Sequence, residues 1–326
     1  MKTAAQRRTF LTAVAAASAA AAGGWRVARA QPGTPVRLLV GATPGGGTDI
    51  VARALAQELS RRLGRQVVVE NRPGAAGNIA AQACATSAPD GNTLLLSYTS
   101  HAINATLYPK LPFDPVKDFT ALSQVARIPA FLVAGPTLKV NDVRELIALA
   151  KSQPGKLNIA IAGLGSANHI GGEMLKLDAG LDIVSVPYKG TGPAMTDVMA
   201  GQIDLTFAGI ASGQALVKAG KLKALGVTSA SRLAAFPDVP AIAETIPGYS
   251  WNSWYGLFGP AGMDRRQVDE IASAARESLD SPEMKERFAT EGIVPVGSTP
   301  AEFSAFVIDE IARFGKVVKA AGMKPE

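Results

Sequence analysis

The chain has 326 residues, of which 47% are hydrophobic and 18% are charged. This length and composition exclude a disordered or fibrous protein and provide a large apolar core, spread over about two domains. The sequence holds one cysteine, Cys84, and two histidines, His101 and His169. An internal disulfide is therefore excluded, and neither a metal site nor a cofactor is expected.

The net charge of +6 would ordinarily suggest a nucleic acid or an anionic membrane as partner. The surplus, however, lies at one end, since positions 1–30 contain five basic residues and no acidic residue. Taking those five from the 33 basic residues of the chain leaves 28 against 27 acidic residues in positions 31–326. No nucleic-acid partner is therefore expected.

Residues 1–30 have the pattern of a signal peptide. A cationic start leads into an apolar stretch, Leu11–Ala22, and Ala28–Ala30 fits a cleavage site that leaves Gln31 as the first residue. Arg7 and Arg8 indicate twin-arginine export, although ordinary secretory signals also carry paired arginines. The apolar stretch is shorter than the roughly 20 residues that span a bilayer. We therefore expect an exported protein of the periplasm.

Short β-branched or leucine-rich runs alternate with amphipathic segments through most of the remaining chain. The pattern predicts, in order, strand Val36–Ala42, helix Thr48–Leu63, strand Gln66–Glu70, strand Thr93–Tyr98, helix Asn141–Ser152 with an Asn cap, strand Leu157–Ala162, helix Ala167–Ala179, strand Ile183–Val186, helix Pro193–Ala200, strand Asp204–Phe207, helix Ser212–Ala219, strand Leu222–Thr228, and three final helices, Asp264–Leu279, Pro282–Glu291 and Pro300–Ala321. Strands that alternate with helices predict parallel sheets in an α/β fold.

Two further segments, Leu122–Ala134 and Trp251–Pro260, are extended and rich in aromatic or β-branched residues. If both cross between domains, residues 31–128 and 254–326 form a discontinuous first domain, and residues 129–253 form a second domain inserted within it. This chain connectivity is typical of a hinged binding protein that closes on a ligand in its cleft. The aromatic residues Trp251, Trp254 and Tyr255 are expected to pack between the domains rather than to stack on a ligand.

The sharpest local signal runs from Gly41 to Asp49, between a predicted strand and a predicted helix. Glycines let a backbone approach a ligand closely, and a helix start offers unpaired N–H groups that favour an anion. A phosphate loop is excluded because Gly47 stands where that motif requires Lys. Asp49 either complements the helix dipole or contacts the ligand.

Two similar glycine turns follow, at Ala162–His169 and at Pro187–Ala194. Ser166 either caps its helix or binds the ligand, and His169 is either structural or a ligand contact. Lys189 is the only cation in the three turns, so an anion would be held mainly by backbone N–H groups. Lys189 itself is equally well explained as a surface charge.

A catalytic function has weak support. Ser166 and His169 are neighbours on one helix, which keeps a secreted α/β hydrolase as the alternative, but no acid that would orient the imidazole is evident. Gly209–Gly213 misses the nucleophile elbow by one position. Cys84 lies in an alanine-rich helical stretch and is interpreted as a small buried hydrophobe. A binding protein without catalysis is therefore favoured.

A series of short stretches spans almost the whole of residues 31–326: Pro44-Gly45-Gly46 with Asp49 and Ala52-Arg53, Val69–Gly74, Pro89–Gly91, Lys110–Asp114, Pro154–Asn158, Val186–Gly190, Gly201–Asp204, Pro237–Pro240 and Ala243-Glu244. In these stretches and in their order the chain resembles the solute-binding proteins of tripartite tricarboxylate transporters, also called Bug-type receptors. The resemblance implies a type II periplasmic binding fold, with two α/β domains joined by two crossing segments around a ligand cleft.

The resemblance also implies a function and a set of contacts. The implied ligand is a small mono-, di- or tricarboxylate held by backbone amides, hydroxyls and waters. We expect a monomer whose partner is a membrane permease or a sensor. The implied ligand contacts are Thr43, Gly46, Asp49, Ser97, Ser100, Gly165, Ser166, His169, Tyr188, Thr191 and Asp204. Ile161 and Leu164 depart from the family pattern, where Ser and Asn are frequent, and these departures favour a partly apolar or aromatic acid over citrate.

Overall fold

The computed structural model describes residues 33–325, and the predicted signal peptide lies outside the described residues. Of these, residues 34–325 belong to one compact unit. None of the helices in the described part of the chain combines the length and the apolar character needed to cross a bilayer.

The described residues form strands and α-helices in alternation, with two short 3₁₀ turns at Ala75–Gly77 and Ile242–Glu244. The strands are β1 Val36–Val40, β2 Val67–Asn71, β3 Thr93–Tyr98, β4 Phe119–Ile128, β5 Ala130–Ala134, β6 Asn158–Ile161, β7 Val184–Pro187, β8 Leu205–Gly209, β9 Lys223–Val227, β10 Ser253–Pro260 and β11 Val294–Pro295. The helices are α1 Gly47–Leu63, α2 Asn78–Ala85, α3 Ser100–Leu107, α4 Val143–Ser152, α5 Ala167–Ala179, α6 Thr191–Met199, α7 Ile210–Lys218, α8 Arg265–Asp280, α9 Pro282–Thr290 and α10 Pro300–Ala320.

The strands form two separate sheets. The first has the order β11-β4-β10-β3-β1-β2 and the second the order β7-β6-β8-β5-β9. In the first sheet β2, β1 and β3 are parallel, and in the second β7, β6 and β8 are parallel. The first lobe is the first sheet with α1–α3 and α8–α10, and the second lobe is the second sheet with α4–α7. This two-lobed α/β architecture confirms the predicted fold class.

Each parallel strand places the start of a helix at the carboxyl edge of its sheet. Helix α1 follows β1 and packs back on it, with Val51, Leu55 and Leu59 buried one turn apart in the same apolar cluster as Val36 and Leu38. In the same way α3 follows β3, α5 follows β6, and α6 follows β7. The helix starts of each lobe are therefore gathered along one edge.

The two lobes are joined by a pair of adjacent crossings. The chain leaves the first sheet after Ile128 and enters the second at Ala130. It returns along Trp251 and rejoins the first sheet at Ser253, which pairs with Ile128. Thr228 ties the two crossings together: its Oγ1 accepts from the N–H of Ala130, and its carbonyl accepts from the N–H of Trp251, both at 2.9 Å. The predicted domain limits fall at these crossings. The division of the chain into two domains at these limits stays a prediction.

The structure corrects the expectation of purely parallel sheets. Strand β10 runs antiparallel to both β3 and β4, and β5 runs antiparallel to both β8 and β9. The cause is the connectivity of the chain, because one crossing leaves the first lobe and the other returns beside it in the opposite direction.

The structure also corrects the cap of α4. The N-cap is Asp142, whose Oδ1 accepts from the N–H of Glu145 at 2.8 Å, rather than Asn141. Asn141 donates instead to the Glu145 carboxylate. A carboxylate beside the positive helix end is the stronger acceptor.

Helix α3 had no sequence signal. Its buried residues mix polar side chains with apolar ones, so its apolar stripe is short and interrupted: Ser100, His101 and Asn104 are polar, and Ala102, Ile103 and Leu107 are apolar. His101 Nε2 lies 2.8 Å from the Pro115 carbonyl, and Asn104 Nδ2 donates to Asn78 Oδ1 at 2.8 Å. The other predicted elements differ from the observed bounds by at most two residues at either end, except the extended segment Leu122–Ala134, which begins three residues after the start of β4 and covers both β4 and β5.

Candidate ligand-binding site

The first glycine turn joins β1 to the start of α1. Gly46 is the N-cap, with extended backbone angles (φ −76°, ψ 164°), and no side chain caps this end of the helix. The first N–H groups of a helix have no carbonyl one turn earlier to accept them. The turn therefore presents unpaired N–H donors at the positive end of α1, in a segment where Thr43, Pro44 and Gly45 are exposed.

Asp49 is buried beneath this turn, and both of its oxygens are occupied. Oδ2 accepts from the N–H of Gly45 and from Arg53 Nε, and Oδ1 accepts from Asn71 Nδ2, each at 2.9 Å. The hydrogen bond from Arg53 is the largest cause that lowers the pKa of Asp49 to about 2, and the donors from Gly45 and Asn71 lower it further against the opposing effect of burial. Asp49 therefore fastens the turn to the end of β2.

The second glycine turn joins β6 to α5 and is capped by a side chain. Ser166 Oγ accepts from the N–H of His169 at 3.2 Å. The N–H groups of Ala167 and Asn168 precede any possible intrahelical partner and stay available. Gly165 lies against the other lobe, since a Cβ on it would sit 2.5 Å from Leu107 Cδ2, and its φ of +72° also favours glycine.

The imidazole of His169 is held from both sides. Its Nδ1 accepts from the N–H of Gly165 at 3.2 Å, and its Nε2 lies 3.4 Å from Glu173 Oε1. Glu173 is thus the acid that sequence reasoning did not find, one turn further along α5. Nδ1 accepts a hydrogen bond from Gly165, and Nε2 faces the Glu173 carboxylate. The imidazole therefore has no free nitrogen with which to activate the Ser166 hydroxyl, whose oxygen already accepts a backbone N–H.

Glu173 is itself part of a buried network. Burial alone would raise the pKa of Glu173, but hydrogen bonds from His169, Lys176 and Ser185 outweigh burial and lower it to about 2. Lys176 Nζ lies 2.7 Å from Glu173 Oε1, and Ser185 Oγ donates to the same oxygen at 2.9 Å. The network anchors the first two turns of α5, and with them the second glycine turn.

The starts of α1, α3 and α5 meet at one cavity of about 220 Å³ between the lobes. The first lobe contributes Thr48 and the segment Tyr98–Ser100, the second contributes Ser166–Asn168, and β10 contributes Ser253–Tyr255. Among the described residues that line this cavity none has a charged side chain. The cavity is walled by hydroxyl, amide and aromatic groups.

Apart from Asp49, which supports the first glycine turn, the predicted contacts divide into four groups, of which the last is the third glycine turn. Ser100 and Ser166 line the cavity. A second group borders it or lies behind it: Thr43 and Gly46 precede Thr48, Gly165 and His169 stand behind Ser166, and Ser97 is buried in β3 opposite Gly256 of β10. Asp204 lies apart, at the amino end of β8, where its Oδ2 accepts from the N–H of Asn158 at 2.9 Å.

Tyr188, Lys189 and Thr191 belong to the third glycine turn, beside the second. The hydroxyl of Tyr188 donates to Asp197 Oδ2 at 2.6 Å, and this hydrogen bond raises the pKa of Tyr188 to about 12. Lys189 is exposed, and Thr191 is the first, half-buried residue of α6. None of the three lines the cavity in this structure.

Sequence reasoning missed several lining residues: Thr48, Tyr98, Thr99, Ala167, Asn168, Ser253, Trp254 and Tyr255. The position of Tyr98 and Thr99 between Ser97 and Ser100 was a usable signal. Trp254 packs as expected, because its side chain is buried and its Nε1 donates to Glu310 Oε2 at 3.2 Å, but it also borders the cavity.

A fourth turn at the same edge of the first lobe was also missed. Ala75 and Ala76 have positive φ values of 45° and 51°, a region that costs non-glycine residues energy. Asn104 Nδ2 holds the turn by donating to the Ala76 carbonyl at 3.2 Å. A Cβ on Gly77 would lie 3.0 Å from the Tyr98 hydroxyl, so this turn backs the cavity wall.

Replacing Asp49 by Asn should lower the free energy of unfolding by about 2 kcal/mol, because the amide brings a donor to a place where Gly45 and Arg53 already donate. The pKa of Asp49, about 2 against an ordinary 3.8, means that its proton-linked stabilisation is complete above about pH 3.8 and is lost as the pH falls towards 2. Denaturant unfolding at pH 7 and pH 3 should therefore show a smaller difference between variant and wild type at pH 3.

The matched control is Asp269→Asn, which removes an exposed carboxylate 3.8 Å from Arg265 and should change stability little. An Asp49→Asn protein as stable as wild type would show that Asp49 does not support the turn.

Comparison with known proteins places these features in a family. Residues 51–323 match the tripartite tricarboxylate transporter family receptor. Protein BugT of Bordetella pertussis is 37% identical over 296 residues, covering 90% of this chain and 91% of that protein. The structure of R. palustris Rpa4515 with adipate has a TM-score of 0.79 at 35% identity, covering 91% of this chain and 100% of that one.

The structure of MatC from Rhodopseudomonas palustris with bound malate has a TM-score of 0.74 at 32% identity, covering 87% of this chain and 98% of that one. The structure of periplasmic binding protein BugD has a TM-score of 0.75 at 32% identity, covering 90% of this chain and 99% of that one. The chain therefore belongs to the receptor family of the tripartite tricarboxylate transporters.

Proposed function

We propose that this protein captures a small organic acid in the cleft and presents it to a membrane permease or sensor. The observation that carries the proposal is the convergence of the uncapped start of α1 and the start of α5 on one cavity with no charged side chain among its described lining residues. Receptors of this family are solute-binding proteins rather than enzymes, and the occupied nitrogens of His169 give no support to the hydrolase alternative.

A carboxylate is the ligand group that fits these donors. Each helix start offers several N–H groups and the positive end of a dipole, and both stabilise a compact anion. Hydrogen bonds from such donors to a charged acceptor contribute about 1.5–3 kcal/mol each. A cationic ligand would find no countercharge among the described residues that line the cavity.

The aromatic residues that line the cavity favour a ligand that has an apolar body in addition to its carboxylate. Tyr98, Trp254 and Tyr255 provide aromatic surface on one side of the cavity. A trianion such as citrate would place several charges in a site that supplies no cation, at a large desolvation cost. The proposal is therefore a mono- or dicarboxylate with an aliphatic chain or a ring, and the adipate and malate bound by the two similar proteins belong to the dicarboxylates.

Substituting Gly46 by Val should weaken binding more than substituting Lys189 by Ala. Gly46 has backbone angles that any residue adopts, and a Cβ there would meet only Thr43 O, at 3.4 Å, so the variant should fold while its side chain crowds the helix start. Loss of one charge-assisted bond corresponds to roughly ten- to hundredfold weaker binding. Lys189→Ala removes an exposed charge and should weaken binding less than about fivefold.

Calorimetric titration with adipate, malate and benzoate measures these changes, with circular dichroism confirming that each variant is folded. The acid that binds wild type most tightly is then used for both variants. A Lys189→Ala protein that no longer binds, beside a Gly46→Val protein close to wild type, would show that an ion pair rather than the backbone carries recognition.

We also propose that the protein is exported and that its signal is removed between Ala30 and Gln31. The pattern of residues 1–30 supports this, together with the family's periplasmic members. N-terminal sequencing of the exported protein should begin at or near Gln31. Membrane-bound material that retains Met1 would contradict the proposal.

A further inference from the structure

A second cavity, of about 210 Å³, lies outside the cleft where the two crossings meet α10. We call it the hinge cavity. Its walls are Arg127 at the end of β4, Asn252 in the returning crossing, Trp254 in β10, and Phe306, Glu310 and Arg313 of α10. Its volume equals that of about seven water molecules in the liquid, which is room for a small organic molecule.

The described residues that line the hinge cavity carry two guanidiniums, of Arg127 and Arg313, and one carboxylate, that of Glu310, which interacts electrostatically with both. Arg313 is paired with the carboxylate of Glu310, whose other oxygen accepts from Trp254 Nε1 at 3.2 Å. Arg127 forms no ion pair with any described residue, and its side-chain hydrogen bond goes to the neutral Gln124 Oε1 at 3.3 Å. The formal charges of the described lining residues therefore sum to +1.

The unpaired guanidinium lies over an aromatic surface. The Cζ atom of Arg127 is 5.8 Å from the centroid of the Phe306 ring, and that ring meets Trp254 edge to face at 5.7 Å. A guanidinium held against an aromatic ring presents its planar N–H edge to carboxylates and leaves an apolar surface beside it. The cavity thus combines an anion site with an aromatic wall, in which the two rings stand nearly perpendicular to each other.

Two lining residues also carry unused hydrogen-bonding capacity. Arg313 Nε and Asn252 Oδ1 are both buried and have no hydrogen-bond partner. Buried polar groups without partners cost free energy, so their presence in two residues that line one cavity is unusual. A small shift of either side chain towards a bound molecule would give the guanidinium an acceptor or the amide a donor.

We infer that the hinge cavity is a second ligand site, which binds a small monoanion with a flat apolar body, of the class of aromatic carboxylates. The carboxylate pairs with Arg127, and the ring lies against Phe306 and Trp254. A dianion is disfavoured because only one positive charge is unbalanced. The site differs from the cleft cavity in its charged groups, because Arg127, Glu310 and Arg313 do not line the latter, although Trp254 borders both cavities.

The experiment titrates the isotope-labelled mature protein with benzoate and follows assigned nitrogen–proton resonances. Binding in the hinge cavity should shift the signals of Asn252 and of the Arg313 side chain saturably, within tens of millimolar benzoate. Benzamide, which has the same shape without the charge, should shift them at least about tenfold more weakly. Signals of Thr48 and Ala167 report on the cleft in the same spectrum, so failure of the proposed function is seen separately.

Arg127→Met should weaken binding at the hinge cavity about tenfold or more, whereas Arg144→Met, which removes an exposed charge on α4, should leave it unchanged. Shifts merely transmitted from benzoate in the cleft would persist in Arg127→Met. The inference is overturned if the hinge signals do not move, if benzamide binds as well as benzoate, or if Arg127→Met binds like wild type.

Discussion

The geometry of the molecule depends on one constraint, which is that the carboxyl edges of two sheets are held face to face. A parallel strand followed by a helix places the helix start at that edge, and the paired crossings at Ile128–Ala130 and Trp251–Ser253 bring the two edges to the same cavity. Thr228 binds both crossings through its hydroxyl and its carbonyl. Unpaired N–H groups of two lobes therefore meet at a cavity whose described lining residues include no cation.

The charged residues near the site support the turns instead of lining the cavity. The Asp49 carboxylate accepts hydrogen bonds from Gly45, Arg53 and Asn71. The Glu173 carboxylate accepts hydrogen bonds from His169, Lys176 and Ser185. Each carboxylate is kept ionised by donors of its own lobe, and each stiffens the loop that precedes a helix start. Rigid donors lose little entropy when they bind, so such supports raise the affinity that a neutral site can reach.

Local sequence signals predicted most of the fold. Glycine turns between a strand and a helix, and the spacing of Val51, Leu55 and Leu59, mark βα units without reference to the rest of the chain. The crossings were also predictable, because two extended segments had no place in a simple alternation. Helix α3 was not predictable, since polar residues interrupt its short apolar stripe and the partners of those residues, Pro115 and Asn78, are distant in sequence.

The candidate site was predictable in position but not in detail. The roles of Asp49 and His169 depend on Asn71 and Glu173, which only the folded chain brings to them. The position of Asp204 at the amino end of β8 shows the limit of a resemblance, because a matching motif does not tell which end of a strand faces the cleft. The positive φ values of Ala75 and Ala76 have no signature in their residue type.

The central claim is that neutral N–H donors at two helix starts hold the ligand carboxylate. A crystal structure of the mature protein with the tightest-binding acid tests it most directly. The account predicts a carboxylate oxygen within about 3.2 Å of backbone nitrogens at the start of α1 or α5, between Gly47 and Asp49 or at Ala167 and Asn168. A carboxylate paired with Lys189, or a cavity between the lobes that stays empty while the acid binds only elsewhere, would contradict the account.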